Sequence, residues 1–483
     1  AGGAGGAGGA GGAGGQLGVG GAGGSGGQAG VGGAGGGGGA GGAPPKGFFA
    51  DWADYSKDAN AVERTTALAT DPSGNVLLAG TFNGLITIDK VTKGPAAKND
   101  AYLAKLTKDG KHVWSKQLAS LGSPAVTGIA TDANGGIVLV GRFDDELTIG
   151  NNTKLVAPNK SNTVFVARLD AQGAAIWSKA VGDVSEQHAT DVTVDKAGNI
   201  VLTGYFKGVM DFGKVGGNGA PVTITASDAY DVFVAKIDPQ GNPVFASKFG
   251  GFLDQFAYGV ATDAANNIAI VGSFYGNIDF GGGTFNTPDG NAFAASFTPQ
   301  GAHRWSKNMG GANFQEARSV RFDSANDALV AGYFGASMLL DQVITSNGEE
   351  DIFVTKIAGP NGDFKWSSSF GDKNPQRALD LVVSSKDEPI VVGYANGTVI
   401  VGSTVLNTKG LSDVIAIKLD AAGKPLWAGS WGGGGVDEAT HVARSMLDEP
   451  ILAGNFTGEI DFGLGLWTAA LTDLFIARLP VGP

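Results

Sequence analysis

Short runs of alternating apolar and polar residues cover most of the chain, and they predict β-strands. A typical run is IVLTGYF at residues 200–206. Turn signals rich in Asp, Asn and Gly, such as DPSGN at residues 71–75, separate the runs. No repeating unit of the chain keeps a 3.6-residue period long enough for a helix. The pattern therefore predicts an all-β protein.

The runs recur as one unit repeated seven times. Each unit has an apolar run ending in a glycine, and successive glycines stand 60 to 68 residues apart. These glycines are Gly80, Gly141, Gly204, Gly272, Gly332, Gly393 and Gly454. Each unit predicts four short strands plus a further short piece of the DFG type. Sheets this small bury both faces only when they pack side by side. The repeats predict a seven-bladed β-propeller over residues 46–483, with the small residues of the first strand near its axis.

The spacing of the tryptophans predicts how the ring closes. Most units end in a strand with tryptophan, but the seventh unit stops before one. Trp52 stands 19 residues before Asp71, and Trp114 stands 18 residues before the matching Asp132. The N-terminal strand is therefore predicted to complete the last blade, which removes an open sheet edge.

The repeated blocks resemble the bacterial β-propeller repeats called SBBP repeats. The resemblance rests on GNIVLTGYF (residues 198–206), DVFVAKIDPQGN (231–242), ASKFGG (246–251) and NIDFGGG (277–283), which recur in order. It implies a secreted or surface-exposed bacterial propeller without a known catalytic site. The fifth and sixth units depart from it, with MLL at residues 338–340 and VIV at 399–401 in place of DFG.

The first 42 residues follow a different rule, in which every third residue is glycine. The glycines in register are Gly3, Gly6, Gly9, Gly12, Gly15, Gly18, Gly21, Gly24, Gly27, Gly30, Gly33, Gly36, Gly39 and Gly42. A strict triplet is typical of polyproline II-type helices, whose backbone groups bond to water or to other chains. The segment resembles collagen-like and polyglycine II segments in pattern. Residues 1–45 are predicted to form a self-association rod built on these glycines.

Composition narrows the function. The chain has 483 residues, a formal net charge of −12 and no cysteine. The net negative charge disfavours binding to nucleic acid, and the absence of cysteine excludes disulfides and thiolate chemistry. No apolar run approaches the ~18 residues of a membrane span. Because the chain begins with Ala, we expect either a removed export signal or a fragment, and an extracellular or cell-surface location.

Candidate chemical motifs favour structural interpretations. Asp211, Asp279 and Asp461 each begin a DFG, but the motif recurs at one place in the repeat, which indicates a turn with a packed aromatic ring. Calcium is a weaker alternative at the acidic residues 144–146 and 349–351. The histidines are expected to be ordinary surface or turn residues: His112, His188, His303 and His441. No catalytic residue, metal or cofactor is assigned from the sequence.

One basic position and one aromatic position recur in six units. The basic residues are Lys105, Arg168, Lys236, Lys356, Lys418 and Arg478. An acid recurs five residues earlier, as Asp100 precedes Lys105. We expect a repeated structural ion pair with it or a solvated edge, and keep a ring that binds an anionic glycan as the alternative. The aromatic residues are Phe82, Phe143, Phe206, Phe274, Phe334 and Phe456. They are expected to lie in the core between blades and not to form a sugar platform.

These observations favour an extracellular structural protein. Its N-terminal triplets would assemble copies of the chain into a rod or filament that displays propellers. The alternative is a surface adhesin or glycan-binding propeller on a Gly-rich tether, with a glycan or surface protein as partner. An enzyme is a third possibility, since propellers also host enzymes, but no catalytic set is visible.

Overall fold

The computed structural model describes residues 50–56, 61–150 and 153–481. Within them the chain forms seven four-stranded antiparallel sheets, arranged as the blades of a β-propeller. Helical structure in these residues is limited to two single turns at Pro158–Lys160 and Val215–Gly217. The all-β prediction and the seven blades are therefore confirmed. Among the described residues, no helix has the length and apolar character that crossing a membrane requires.

The blades are numbered 1 to 7 along the chain, and each has an inner, second, third and outer strand. The inner strands are Glu63–Thr70, Ala125–Thr131, Gln187–Val194, Gln255–Thr262, Gln315–Phe322, Gln376–Val383 and Asp437–Arg444. The second strands are Val76–Ile88, Ile137–Phe143, Ile200–Phe206, Ile268–Asp279, Ala328–Leu339, Pro389–Ala395 and Pro450–Ile460.

The third and outer strands complete each sheet. The third strands are Val91–Leu106, Thr163–Leu169, Asp231–Ile237, Thr284–Phe297, Val343–Ile357, Asp413–Leu419 and Trp467–Arg478. The outer strands of blades 1 to 6 are His112–Leu118, Ala175–Val181, Pro243–Phe249, His303–Met309, Phe364–Phe370 and Pro425–Trp431. In blade 7 the strand Trp52–Tyr55 pairs with Trp467–Arg478, and Trp52 lies opposite Arg478.

The additional short piece of each unit forms a hairpin with the residues that follow it. In blades 1, 4, 5 and 7 it continues the second and third strands. In blades 2, 3 and 6 it is a separate two-stranded sheet. These sheets are Glu146–Ile149 with Thr153–Val156, Val209–Lys214 with Pro221–Thr225, and Thr398–Val401 with Thr404–Asn407. The phenylalanines of the DFG turns are buried, which confirms the structural interpretation.

The repeated glycine is explained by a β-bulge in the facing inner strand. In blade 5 the pairing shifts between Ala317 and Ser319, which leaves Arg318 as the extra residue. A Cβ on Gly332 would lie 2.0 Å from the carbonyl oxygen of Glu316. Similar close approaches, at 1.8 to 2.0 Å, occur at all seven repeated glycines. Only glycine lets the second strand lie this close to the bulge.

The core lies between neighbouring blades. The six phenylalanines that follow the repeated glycine by two residues have no exposed surface, so their assignment to the core is confirmed. Rings pack across and within blades, as Phe249 does on Phe297 at a centroid distance of 5.0 Å. Burial of large apolar side chains is the main favourable contribution to folding here.

The recurring basic residues form ion pairs, but the predicted partner is wrong. Lys105 Nζ lies 2.8 Å from Asp71 Oδ2, and Lys236 Nζ lies 2.8 Å from Asp195 Oδ2. These acids belong to the turn between the inner and second strands. Five residues of extended strand span about 17 Å, so Asp100 is too far along the strand to reach Lys105. Asp100 instead accepts a hydrogen bond of 2.6 Å from Gln117.

Tryptophans of the outer strands join each blade to the next. The indole of Trp305 donates a hydrogen bond of 2.8 Å to the carbonyl oxygen of Gly359, in the turn before the next outer strand. Trp52 makes the corresponding bond, of 3.0 Å, to the carbonyl oxygen of Lys108 in blade 1. Phe245 takes the tryptophan's place in blade 3 and packs over the turn glycine Gly301. These contacts fix the spacing between blades at the outer rim.

The N-terminal predictions fall on residues 1–45, which lie outside the described residues. The rod, its boundary at residue 45 and the fourteen glycines in register from Gly3 to Gly42 therefore stay predictions.

Candidate functional site

A channel of about 760 Å³ runs along the axis of the ring and is lined by the inner strands of all seven blades. Small side chains, among them Ala67, Gly128 and Ala261, line much of it, as their placement near the axis predicted. They keep the seven inner strands close together without filling the axis with side chains.

Two carboxylates share one guanidinium within the channel. Arg321 Nη2 lies 3.4 Å from Asp380 Oδ1, and Arg321 Nη1 lies 3.9 Å from Asp191 Oδ2. Asp191 also accepts a hydrogen bond of 2.9 Å from the backbone N–H of Val260 in blade 4. Burial raises the pKa of Asp191 to about 6, although Arg321 and the backbone donors oppose the shift. The cluster therefore links blades 3, 4, 5 and 6 around the axis.

The extra residue of the bulge differs between two groups of neighbouring blades. In blades 1, 2, 3 and 7 it is a threonine whose hydroxyl donates to a carbonyl of the neighbouring inner strand, as Thr127 does to Ala189 at 2.7 Å. Blades 4, 5 and 6 carry larger side chains at this place: Tyr258, Arg318 and Leu379. The channel is thus asymmetric, with its bulky side in blades 4 to 6.

Aromatic side chains and arginines gather at the end of the channel where the inner strands begin. We call this surface the aromatic mouth. It consists of His188, Tyr205, Tyr230, Phe256, Tyr258, Tyr275, Phe314, Arg318, Tyr333, Arg377 and Tyr394, all from blades 3 to 6 or the loops between them. Phe256 and Tyr333 are buried and support the other rings. The strand positions that hold Tyr205, Tyr333 and Tyr394 carry Thr81, Arg142 and Asn455 in blades 1, 2 and 7. The aromatic surface therefore covers one side of the mouth only.

In blades 3 and 4 the mouth is built around Tyr205. Its ring stacks on His188 at a centroid distance of 4.7 Å and meets Tyr230 and Phe256 edge-on at 5.2 and 4.9 Å. Lys207 Nζ lies 4.0 Å from the centroid of Tyr230, a cation–π contact. The Tyr230 hydroxyl donates a hydrogen bond to Glu186. The rings thus hold one another in fixed orientations.

In blades 5 and 6 guanidinium groups stack on tyrosines. Arg318 lies 4.3 Å from the centroid of Tyr258, and Arg377 lies 4.5 Å from that of Tyr333. Each arginine also has a carboxylate partner. Glu350 binds Arg377 through two hydrogen bonds, and Glu316 accepts from Arg318. The arginines are therefore oriented before any partner arrives, and their charge is compensated.

An exposed apolar loop extends the mouth outward from blade 4. Phe252 is 65% exposed and Leu253 is 43% exposed, in the loop that precedes the inner strand of that blade. The loop is anchored, because Gln255 Nε2 donates to the carbonyl oxygens of both residues. An anchored loop that presents a large apolar side chain to water is typical of a contact surface.

Burial keeps the side chains of His188 and Tyr205 in the mouth neutral. Burial and the nearby Arg142 lower the pKa of His188 to about 4, although Glu186 opposes this shift. Burial raises the pKa of Tyr205 above its ordinary value of 10.0. At neutral pH the surface therefore offers uncharged His188 and Tyr205 rings beside the paired arginines.

The structure places the other candidate residues as follows. Two of the three acidic residues 144–146 form ion pairs, Asp145 with Lys160 and Glu146 with Lys154, and Asp144 accepts a hydrogen bond from the backbone N–H of Ser123. Within the described ranges, no three His, Asp or Glu side chains converge in a way that could hold a metal ion. Of the four histidines, His188 lies on an inner strand in the mouth, and His441 lies on an inner strand that lines the channel.

The mouth residues were not predicted from the sequence, because the phenylalanine two residues after the repeated glycine recurs in six units and the tyrosine directly after it in only three. The residue directly after the glycine points to the opposite face of the strand. A signal existed in the sequence: GYF occurs at residues 204–206 and 332–334, and GYA at 393–395.

Comparisons with known proteins agree with this architecture. A scan against models of protein families gives no match. The chain is 21% identical over 268 residues to the uncharacterised WD repeat-containing protein L264 of Acanthamoeba polyphaga mimivirus. That match covers 47% of this chain and only 19% of the length of the viral protein. The sequence similarity is thus to part of a WD repeat-containing protein, and the chain spans less than a fifth of that protein's length.

Similarity to solved structures concerns the fold alone. A chain of the Mitotic Checkpoint Complex is 10% identical with a TM-score of 0.46, covering 89% of this chain and 92% of that one. A chain of Kuenenia stuttgartiensis Hydrazine Synthase is 10% identical with a TM-score of 0.45, covering 86% and 96%. The Dos1 propeller is 10% identical with a TM-score of 0.43, covering 89% and 87%.

Proposed function

We propose that this chain is a non-enzymatic scaffold that binds another protein through the aromatic mouth. The observation that carries the proposal is the one-sided clustering of tyrosines and stacked arginines in blades 3 to 6. A surface needed only for folding would repeat in all seven blades, as the repeated glycine and the core phenylalanines do.

The chemistry of the mouth suits a protein partner. Tyr and Arg are enriched among residues that dominate binding energy at protein interfaces. Rings that already pack on one another lose little side-chain entropy on binding. Because Arg377 is paired with Glu350, covering it does not bury an uncompensated charge.

The proposal is tested by comparing the two ends of the channel. The immobilised full-length chain is used to capture proteins from the source culture, and the captured proteins are identified. Their affinities are then measured for wild type, Phe252→Ala, Tyr230→Ala and Met446→Ala. Met446 is 69% exposed in the turn that follows the inner strand of blade 7, and serves as the matched control. We expect each mouth variant to weaken binding by about 10-fold or more, and Met446→Ala to leave it unchanged.

Two outcomes would contradict this proposal. Equal affinities for all four proteins would show that the mouth is not the binding surface. The second outcome is that no protein partner is recovered, while wild type binds a purified glycan on an array and Tyr230→Ala does not. It would favour the glycan-binding alternative, in which the rings stack on sugars.

The N-terminal part of the proposal concerns assembly and location. We infer that the glycine triplets associate copies of the chain in an extracellular or cell-surface filament, and that the SBBP-type resemblance reflects a secreted bacterial protein. Support comes from the unbroken glycine register and the recurring sequence blocks. Electron microscopy of full-length protein and of a variant lacking residues 1–42 tests this inference. Loss of filaments in the variant is expected, whereas filaments in both would contradict it.

We further propose that the strand Trp52–Tyr55 closes the ring. Its pairing with Trp467–Arg478 and the bond from Trp52 to Lys108 of blade 1 support this proposal. Deleting residues 1–56 should then lower the unfolding temperature of the propeller, whereas deleting residues 1–42 should not.

A further inference from the structure

At the seams between blades, the start of an inner strand meets the start of the preceding blade's third strand around a glycine. Between blades 3 and 4, a Cβ on Gly250 would lie 2.3 Å from Asp231 Oδ1 and 2.4 Å from Gln255 Oε1. Between blades 5 and 6, Asp351, Gln376 and Gly371 repeat this arrangement. An acid and a neutral amide thus border the same glycine.

The glutamine has a definite task at these seams. In blade 4 its Nε2 donates to the carbonyl oxygens of Leu253 at 2.8 Å and of Phe252 and Tyr275 at 3.1 Å. Gln376 likewise donates to Asn396 at 2.8 Å. The amide supplies a hydrogen-bond donor without adding a second negative charge beside the buried aspartate.

The seam between blades 6 and 7 breaks this rule. Asp437 stands where blades 3 to 6 have glutamine, and a Cβ on Gly432 would lie 2.4 Å from Asp413 Oδ1 and 2.7 Å from Asp437 Oδ2. Asp413 is 2% exposed and Asp437 has no exposed surface. Asp413 Oδ1 has no hydrogen-bond partner. Two buried carboxyl groups therefore border one glycine.

The remaining surroundings of the pair provide little positive charge. Asp437 accepts hydrogen bonds from the backbone N–H groups of Gly433 and Thr457, at 3.0 and 3.3 Å. Asp413 accepts one of 3.0 Å from the backbone of Lys409, whose ammonium acts on it at a distance. Lys409 is the cation that acts on Asp413, and Asp413 is the acid that acts on Asp437.

We propose that one of the two buried carboxyl groups, of Asp413 or Asp437, keeps its proton in the folded protein, which makes the seam between blades 6 and 7 a pH-sensitive joint. With the proton bound, the pair resembles the acid and amide of the other seams. Without it, two negative charges repel each other in a buried place. The pair titrates as a unit.

The direction of the charge effects agrees with this arrangement. Burial raises the pKa of Asp437 to about 7, and repulsion from Asp413 adds to the shift. Burial also raises the pKa of Asp413 to about 6. Both values exceed the ordinary 3.8, so the folded protein binds the proton more tightly than the unfolded chain. The stabilisation that the bound proton gives the folded protein is complete below about pH 4 and is lost as the pH rises towards about 7.

The position of the joint gives it a wider effect. Blade 7 is the blade whose sheet joins Trp52–Tyr55 to strands from the other end of the chain. At its other seam, Glu63 and Asp473 occupy the places of glutamine and aspartate. Loosening at raised pH should therefore fall on blade 7 in particular.

The experiment measures thermal unfolding of full-length wild type, Asp437→Asn and the control Asp109→Asn between pH 5 and pH 8. The side chain of Asp109 is 59% exposed. We expect Asp437→Asn to gain about 2 °C or more over wild type at pH 8 and little at pH 5. Asp109→Asn should follow wild type throughout. Parallel curves for wild type and Asp437→Asn would overturn the proposal.

A second variant keeps the test decisive if Asp437→Asn fails to fold. Gln376→Asp places two carboxyl groups at the seam between blades 5 and 6, and should create a new loss of unfolding temperature from pH 5 to pH 8. Its absence would overturn the proposal. A control at pH 8 with added calcium chloride or magnesium chloride distinguishes proton binding from metal binding at the seam. If either salt stabilises wild type but not Asp437→Asn, a metal ion occupies the seam and the proposal is overturned.

Discussion

The carboxylate of Asp380 in blade 6 accepts a hydrogen bond of 3.0 Å from the backbone N–H of Val442 in blade 7. The same carboxylate accepts from the Ser319 hydroxyl of blade 5 at 2.7 Å. One buried side chain thus joins three consecutive blades near the axis. Backbone pairing within blades cannot make such a connection, so polar side chains in the channel contribute to closure of the ring.

Asp380→Ala should destabilise the propeller by roughly 2–4 kcal/mol, because it leaves the N–H of Val442 and the guanidinium of Arg321 without this acceptor. Urea unfolding of the full chain measures the change. The control Asp109→Ala removes an exposed carboxylate and should cost less than about 1 kcal/mol. An equal effect of the two substitutions would show that the channel link does not stabilise the ring.

Gly332→Ala should cost more than about 3 kcal/mol or prevent folding, since the new methyl group would lie 2.0 Å from the carbonyl oxygen of Glu316. Gly434 provides the matched control, because nothing lies within 4 Å of a Cβ built there. Soluble yield and urea midpoints of the two variants check the expectation. A stable Gly332→Ala protein would mean that the bulge adapts.

Trp305→Phe should cost about 1 kcal/mol, the typical value of one lost hydrogen bond, while Trp305→Ala should cost roughly 3–5 kcal/mol. Phe245 already serves at the corresponding place in blade 3, which shows that a phenyl ring fits over the turn. Thermal and urea unfolding of both variants distinguish the bond from the packing. Equal losses would indicate that the hydrogen bond carries nearly the whole contribution.

Lys236→Met should destabilise the fold by roughly 3–5 kcal/mol, because the side chain of Asp195 is fully buried and loses its partner. Burial raises the pKa of Asp195, but Lys236 and Asn199 outweigh it, and the pKa falls below 3.8. The ion pair therefore stabilises the protein above that pH and ceases to do so in acid.

The exposed pair of Lys154 and Glu146 is the control for that substitution, and Lys154→Met should cost less than about 1 kcal/mol. Adding Asp195→Asn to Lys236→Met should restore part of the lost stability. Urea unfolding at pH 7 measures all three variants, and an unchanged double variant would argue against an unpaired charge as the cause.

Features that repeat in every blade could be predicted from the sequence. Gly204 and Phe206 stand in a constant register because the bulge and the core impose the same demand seven times. Tyr205 lies between them at a position where the residue type varies from blade to blade. The repeat pattern therefore does not predict a role for it. The partner of Lys105 also escaped prediction, since Asp71 is distant in sequence and is brought near only when two strands pair.

The pairing of Trp52 with Arg478 also has a consequence for the order of synthesis. More than 400 residues separate these two strands along the chain. At the usual speed of translation, the first strand waits roughly 20 to 90 seconds for its neighbour to be made. Blades 1 to 6 can form on the ribosome in turn, but blade 7 assembles only after the strand Trp467–Arg478 has emerged. Until then the early strand keeps an unpaired edge, which makes the nascent chain sensitive to crowding by its own copies.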